Sequence, residues 1–262
     1  MIIAENLSVN IGNKPIINNI SYSLFEGEFL AVIGPNGSGK TTMMKALSGE
    51  LEYAGKLQIN GQEIISAKAI ELARMRAVLS QFTQVTFPFL VREIVSFGVI
   101  AGGVSQPDRE NLPEKALEEV GLKGFEERKY QELSGGEQQR VQLARVLCQV
   151  WQPVTNGQAH WLFLDEPVSS LDLQHQINVM KIAKSFSQRG GGVVAILHDL
   201  NLTAMYADQV LLLKDGSIVD FGTPKEVLQD QNLQLAYDCH LKVGKVPQKN
   251  GKQFVLPQSL EL

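Results

Sequence analysis

Through the first 33 residues, apolar and polar positions alternate in three short runs, IIAENLSVNI, NNISYSLF and FLAVI, separated by a polar turn at 12–15 and by Glu26 and Gly27. Alternation with a period of two, bounded by turn residues, predicts strands. TTMMKALSGE, from residue 41, reads as a helix, and KLQINGQEI reads as a hairpin turning at Asn60 and Gly61. AVLSQ, at 77–81, has the apolar density of a buried strand.

From about Val91 to Val150 the spacing of apolar residues lengthens to that of helices, in PEKALEEVGL and in the long run SGGEQQRVQLARVLCQV. Strands return as WLFLD (161–165) and GVVAIL (192–197), with the helix LQHQINVMKIAKSFSQ between them. Repeated β-α-β order implies parallel strands. VLLLKDGSIVDFG predicts a hairpin turning at Asp215 and Gly216, and Thr223, Pro224 and Glu226 form a capping box with proline at the first helical position. The pattern predicts an α/β fold with a parallel-sheet core, an antiparallel β edge and an inserted helical subdomain. Its boundaries fall at 1–84 for the first part of the core with the β edge, 85–158 for the helical insertion, and 159–262 for the second part of the core with a C-terminal extension.

Composition narrows the class. With 262 residues, 44% of them hydrophobic and 20% charged, the chain has ample core for a large domain with a subdomain. A net charge of −4 and an isoelectric point near 5.7 argue against a general nucleic-acid binder, which carries a basic stripe. The start MIIAENLSVN lacks a charged leader and a long apolar run, so neither a signal peptide nor an anchor is read. Only Cys148 and Cys239 occur, without metal-type spacing, and reduced structural thiols suit the cytosol.

Two strings carry the candidate chemistry. GPNGSGKT, at 34–41, fits G-x-x-x-x-G-K-[ST]. In such a loop the backbone of Gly34, Pro35, Asn36, Gly37, Ser38 and Gly39 wraps phosphates, Lys40 reaches the outer ones, and Thr41, followed by Thr42, binds Mg²⁺. It lies between an apolar strand and a helix N-terminus, where unpaired N–H groups favour an anion. WLFLDEP then ends a strand in two carboxylates. Asp165 is the candidate to hold Mg²⁺ through water, and Glu166 the candidate to polarise an attacking water. His198, after GVVAIL, can reach a γ-phosphate, whereas His160, His175 and His240 carry no such context. Gln81, also at a strand end, can sense the metal and the water.

The second string, LSGGEQQR at 133–140, places Ser134, Gly135 and Gly136 at a helix N-terminus with Glu137 three residues after the serine. It reads equally as a second anion site or as an ordinary capping box, and the two readings are compatible.

Taken together, these motifs resemble the ATP-binding subunits of ABC transporters over essentially the full length. GPNGSGKT matches the Walker A loop, Gln81 the Q-loop, LSGGEQQR the signature, LFLDEP the Walker B strand, SSLD with Ser169 and Asp172 the D-loop, and His198 the switch histidine. The resemblance implies a P-loop NTPase (RecA-like) core, ATP and Mg²⁺ as ligands, and two copies facing head to tail, the signature of one closing over ATP held by the other. Asp165, Thr41 and Gln81 would be the metal residues, Glu166, His198 and Gln81 the catalytic ones. It also implies two membrane permease subunits as partners, an indirect link to a periplasmic binding protein, no nucleic acid, and a peripheral place on the cytoplasmic face of a bacterial inner membrane. The family's groove for the permease lies at 82–90, where Phe87, Pro88 and Phe89 suit either that groove or core packing.

Family members often stack an aromatic on adenine from the first strand, where this chain offers Val9 and Ile11, and Val168 stands where threonine is common after DEP. FPF followed by VREIV, and HDLNLTAMYAD, point to the importer branch for iron chelates, haem and cobalamin. The long stretch CQVWQPVTNGQAHW, together with ELARMRAVLSQ and the ending FVLPQ, is similar to haemin importers of Gram-negative bacteria. Cobalamin or ferric siderophore is the alternative cargo. A soluble ABC-type ATPase acting on nucleic acid or ribosomes would show tandem cassettes, coiled-coil insertions or zinc cysteines, and a P-loop kinase would need no signature string.

Overall fold

The computed structural model describes residues 1–81, 85–102, 110–245 and 257–259. Phe82 of the expected groove and most of the FVLPQ ending lie outside the described residues. In chain order the strands are β1 (Ile2–Ile11), β2 (Lys14–Leu24), β3 (Phe29–Ile33), β4 (Ala54–Ile59), β5 (Gln62–Glu63), β6 (Arg76–Leu79), β7 (Val154–Thr155), β8 (Gln158–Ala159), β9 (Trp161–Asp165), β10 (Gly192–Ile196), β11 (Gln209–Lys214) and β12 (Ser217–Gly222). The helices are α1 (Lys40–Leu47), α2 (Ala69–Met75), α3 (Val91–Gly102), α4 (Leu112–Glu119), α5 (Gly135–Gln149), α6 (Leu173–Gln188), α7 (Leu200–Tyr206), α8 (Pro224–Val227) and α9 (Asp230–Tyr237).

The central sheet runs β12-β11-β3-β10-β9-β6, parallel throughout except for the β11–β12 hairpin. The antiparallel component is a sheet of its own, β2-β1-β4-β5. Because side chains alternate across a strand, each central strand feeds two cores. Leu30, Val32, Trp161, Phe163, Val194 and Ile196 pack with α1 and the antiparallel sheet. Phe29, Ala31, Ile33, Leu162, Leu164, Val193 and Ala195 pack with the helices on the other face. Strands buried on both faces read as continuous apolar runs, which is why FLAVI and WLFLD lack alternation.

Small differences from the expected elements have local causes. AVLSQ pairs only as far as Leu79, so Gln81 stands beyond the strand and exposed rather than at its buried end. CQVWQPVTNGQAHW contains a hairpin, β7–β8, turning at Asn156 and Gly157 with φ of 51° and 76°, the same chemistry that turns Asn60–Gly61 and Asp215–Gly216. The capping box at Thr223 is present, with Glu226 Oε2 accepting from Thr223 N at 2.8 Å and from its hydroxyl at 2.7 Å. Cys148 is buried, which pushes its thiol up to about 12 and leaves it inert.

Among the helices on the second face, α3 and α5 touch backbone to backbone. A Cβ on Gly98 would sit 1.9 Å from the carbonyl oxygen of Arg145, and one on Gly102 would sit 2.1 Å from that of Gln149. Gly98→Ala gains helix propensity of roughly 1 kcal/mol but forces the two helices apart, so a net loss of about 2 kcal/mol is expected. Thermal unfolding should report it as a fall in Tm of about 4–8 °C; an unchanged Tm would mean that the pair is not packed this closely.

Candidate active site

Four neighbouring parallel strands, in the order β3-β10-β9-β6, each release a candidate side chain at the carboxyl end. The phosphate loop follows β3, His198 follows β10, Asp165 ends β9 with Glu166 next, and Gln81 follows β6. Ligands of open α/β sheets bind outside the carboxyl ends of the strands. The sheet order therefore gathers residues that are more than a hundred positions apart in the chain.

The loop is shaped by glycine where side chains cannot go. Gly34 has φ 146°, and a Cβ there would lie 2.1 Å from the carbonyl oxygen of Leu213. Gly39, with φ 100°, forms the N-cap of α1 and gives it no side-chain cap, and the first turn carries no acid. The N–H groups of that turn are thus free for an anion. Lys40 is buried, and its ammonium donates to the carbonyls of Gly34 and Pro35, both at 2.9 Å. Burial pulls its pKa below the usual lysine value, while Glu166 and Asp165 nearby push it back up. Ser38 N donates to Pro35 O at 3.3 Å, and Ser38 Oγ is buried with no partner among the described residues. Asn36 and Gly37 lie at the exposed crest of the loop, and Thr41 and Thr42 are half-buried on α1.

Asp165 is buried at the end of β9, and its Oδ1 has no hydrogen-bond partner among the described residues. Burial, then the neighbouring Glu166 charge, pushes its pKa up to about 6, opposed by Lys45, the Thr41 hydroxyl and Lys40. Thr41 and Lys45 stand one turn apart on α1, so both face β9. Lys45 was not among the residues singled out from sequence, although its spacing from Thr41 is the signal. An orphaned carboxylate oxygen beside a threonine hydroxyl suits Mg²⁺, which takes one or two protein oxygens and fills its octahedron with water and phosphate oxygens.

Glu166 leaves the strand with φ 52°, in the left-handed region. Its carboxylate is clasped on both sides: Gln81 Nε2 donates to Oε2 at 2.8 Å, and His198 Nε2 lies 2.7 Å from Oε1. The three expected catalytic residues thus meet in one cluster, held by bonds across three strands. Such an arrangement can orient a water molecule and accept its proton.

LSGGEQQR begins α5 as a capping box. Ser134 Oγ accepts from Glu137 N at 3.3 Å, and the Glu137 carboxylate accepts from the Ser134 amide and hydroxyl, both at 2.8 Å. Those bonds hold the Glu137 carboxyl below its ordinary range. Ser134 and Gly135 are exposed on the surface. Ser169 donates its hydroxyl to Glu166 O at 3.2 Å. Asp172 caps α6, its Oδ1 accepting from His175 N at 3.0 Å and lying 2.7 Å from His175 Nδ1. The signature and the phosphate loop lie on one chain, but no bond joins them among the described residues.

Between α3 and α5 opens a cavity of about 260 Å³, lined by Thr86, Phe87, Phe89, Phe97, Gln142 and Arg145 among others. Phe87 is 63% exposed, so core packing does not account for it, whereas Phe89 is half-buried against the core and stacks edge-on with Phe97 at 5.3 Å.

Comparison with known proteins finds a family and relatives that cover most of the chain. The family described as ABC transporter matches residues 17–169. The chain is 53% identical to the hemin import ATP-binding protein HmuV of Mesorhizobium japonicum, over 99% of both chains. It is 51% identical to that of Bartonella quintana, over 99% of this chain and 98% of that one. Among solved structures it resembles an ATP-binding subunit of an ABC transporter, with TM-score 0.78 and 21% identity over 90% of this chain and 94% of that one. It also resembles a dimeric ATP-binding cassette in a post-hydrolysis state with ADP and phosphate bound, with TM-score 0.74 and 25% identity over 86% and 99%.

Proposed function

The chain belongs to the ABC transporter family, and from that membership we propose that it hydrolyses ATP to drive import of haem. The observation that most supports this is the Glu166 carboxylate held between Gln81 and His198, beside buried Lys40 and the orphaned Asp165 oxygen. The name of the relatives, hemin import ATP-binding protein, supports the cargo at about half identity over nearly the whole length.

On this reading the loop from Gly34 to Gly39 cradles the phosphates of ATP with backbone N–H groups, and Lys40 turns from its carbonyl partners to the outer phosphates. Thr41, Asp165 and Gln81 would hold Mg²⁺, which supplies charge neutralisation on the phosphates when bound. Glu166 orients and deprotonates the attacking water, Gln81 and His198 fix its carboxylate, and His198 also faces the γ-phosphate. Ser134, Gly135, Gly136 and Glu137 present the N-terminus of α5 to ATP held by a second copy, with Ser169 and Asp172 alongside.

ATP would bind the closed pair preferentially and so shift the population toward it, and its hydrolysis would release the pair. Residues 85–158 form the helical subdomain that carries the signature, between core parts 1–84 and 159–262. The cavity beside exposed Phe87 receives one of two membrane permease subunits, which a periplasmic binding protein serves. No helix among the described residues is long and apolar enough to cross a membrane. On this reading those permeases hold the chain peripherally on the cytoplasmic face of the inner membrane.

ATPase activity of the complex reconstituted with its permease tests the cargo. Haem-loaded binding protein is expected to stimulate turnover several-fold, and cobalamin or ferric siderophore is not. Equal stimulation by cobalamin would reassign the cargo while leaving the ATPase reading intact.

A further inference from the structure

Gln139 lies inside the signature string, but its side chain points away from the expected ATP contact. Its Nε2 donates to the backbone carbonyl of Glu166 at 3.1 Å, and its Oε1 accepts the hydroxyl of Ser170. One amide on α5 thus ties together the residue that follows β9 and the loop that leads to α6.

The tie matters because of the backbone it holds. Glu166 is a non-glycine residue at φ 52°, a conformation that persists only where the surroundings fix it. Among the described residues, its carbonyl accepts three bonds. Two come from Ser169 in the same turn, through the hydroxyl at 3.2 Å and the amide at 3.4 Å. Gln139, 27 residues upstream, supplies the third, the only one from another element among the described residues. Its neighbour on the same helix face, Gly136, faces that loop with little room to spare: a Cβ there would come 3.4 Å from Ser170 O and 3.3 Å from Leu171 Cδ2, a tight fit. The Gly136–Gln139 face of α5 is therefore packed onto the turn that aims Glu166.

From this juxtaposition we infer that Gln139 is a positioning residue that transmits the placement of the α5 N-terminus to the backbone of Glu166, so that the signature end of a subunit sets the aim of that subunit's own Glu166. The inference rests on the proposed role of Glu166. It makes the two ATP sites of a pair interdependent through each chain, in addition to their sharing across the interface.

Two variants test it. Gln139→Met keeps the length and loses both polar ends. Gln139→Glu is nearly isosteric and keeps the acceptor for Ser170, but sets a carboxylate oxygen against the Glu166 carbonyl. Both are expected to lower kcat roughly 10- to 100-fold, as small misplacements of reacting groups do, with KM for ATP within about twofold. Gln139→Glu should fall at least as far as Gln139→Met. In the nucleotide-free chain, amide hydrogen exchange over residues 168–171 should quicken several-fold in both, with Tm little changed. Wild-type kcat in Gln139→Glu, or unchanged exchange over 168–171, would overturn the inference. So would a Gln139→Met that fails to fold while Gln139→Glu is folded and fully active. If Glu166→Gln were to retain turnover, the role of Glu166 would fall, yet the exchange measurement would still report on the tether.

Discussion

Glu166→Gln is expected to hydrolyse ATP at least about 100-fold more slowly than the unmodified chain, the size of effect that loss of a general base produces. ATP binding should be unchanged. The amide has the shape of the carboxylate and can still meet Gln81 and His198, the partners that hold Glu166 at 2.8 and 2.7 Å, so the cluster keeps its geometry. What disappears is the proton acceptor and one negative charge. Removing that charge also relieves Asp165, whose pKa Glu166 raises, and takes from Lys40 a neighbour that favours its charged form. None of the contacts expected to grip the phosphates is touched. Phosphate release and equilibrium nucleotide binding check the two halves of the prediction, and full hydrolysis by the variant would remove Glu166 from its role.

Ser134→Arg is the second large effect. The substitution removes a helix cap, which costs about 1 kcal/mol of stability, or a few degrees in Tm. Ser134→Ala, which removes the cap and the hydroxyl without adding bulk, separates that stability loss from the effect of the arginine. The arginine instead fills the exposed surface where the N-terminus of α5 would meet a second copy's nucleotide. Hydrolysis should fall by more than about 100-fold although Lys40, Asp165 and Glu166 are all intact, because the arginine stands where a second copy's nucleotide would be met. Unchanged turnover in Ser134→Arg would refute a shared site.

Much of this geometry was legible in the chain because it depends on local rules. Strand runs buried on both faces, Asn-Gly and Asp-Gly turns, the capping boxes at Ser134 and Thr223, and the phosphate loop between a strand and a helix each announce themselves within ten residues. The gathering of Gln81, Glu166 and His198 was legible only as three strand ends, and the order of strands in the sheet converts it into a cluster. Other features depend on contacts between distant segments and leave no such mark. Gly98 and Gly102 look like weak points of a helix until α5 lies against them. Gln139 looks like one more polar residue of a repetitive string until its amide is found on the Glu166 carbonyl. The turn at Asn156 and Gly157 carries the same signal as two other hairpins, but within a stretch that reads as an extension.

The central claim is that each ATP is closed between the phosphate loop of one chain and the signature of another. Light scattering with ATP and Mg²⁺ tests it most directly, comparing Glu166→Gln with the double variant Glu166→Gln, Ser134→Arg. From a chain of 28.9 kDa, the single variant should give a particle of twice that mass with one ATP bound per chain, and the double variant should stay at 28.9 kDa while still binding ATP. A double variant that pairs as readily as the single one, or a single variant that stays at the mass of one chain, would contradict it.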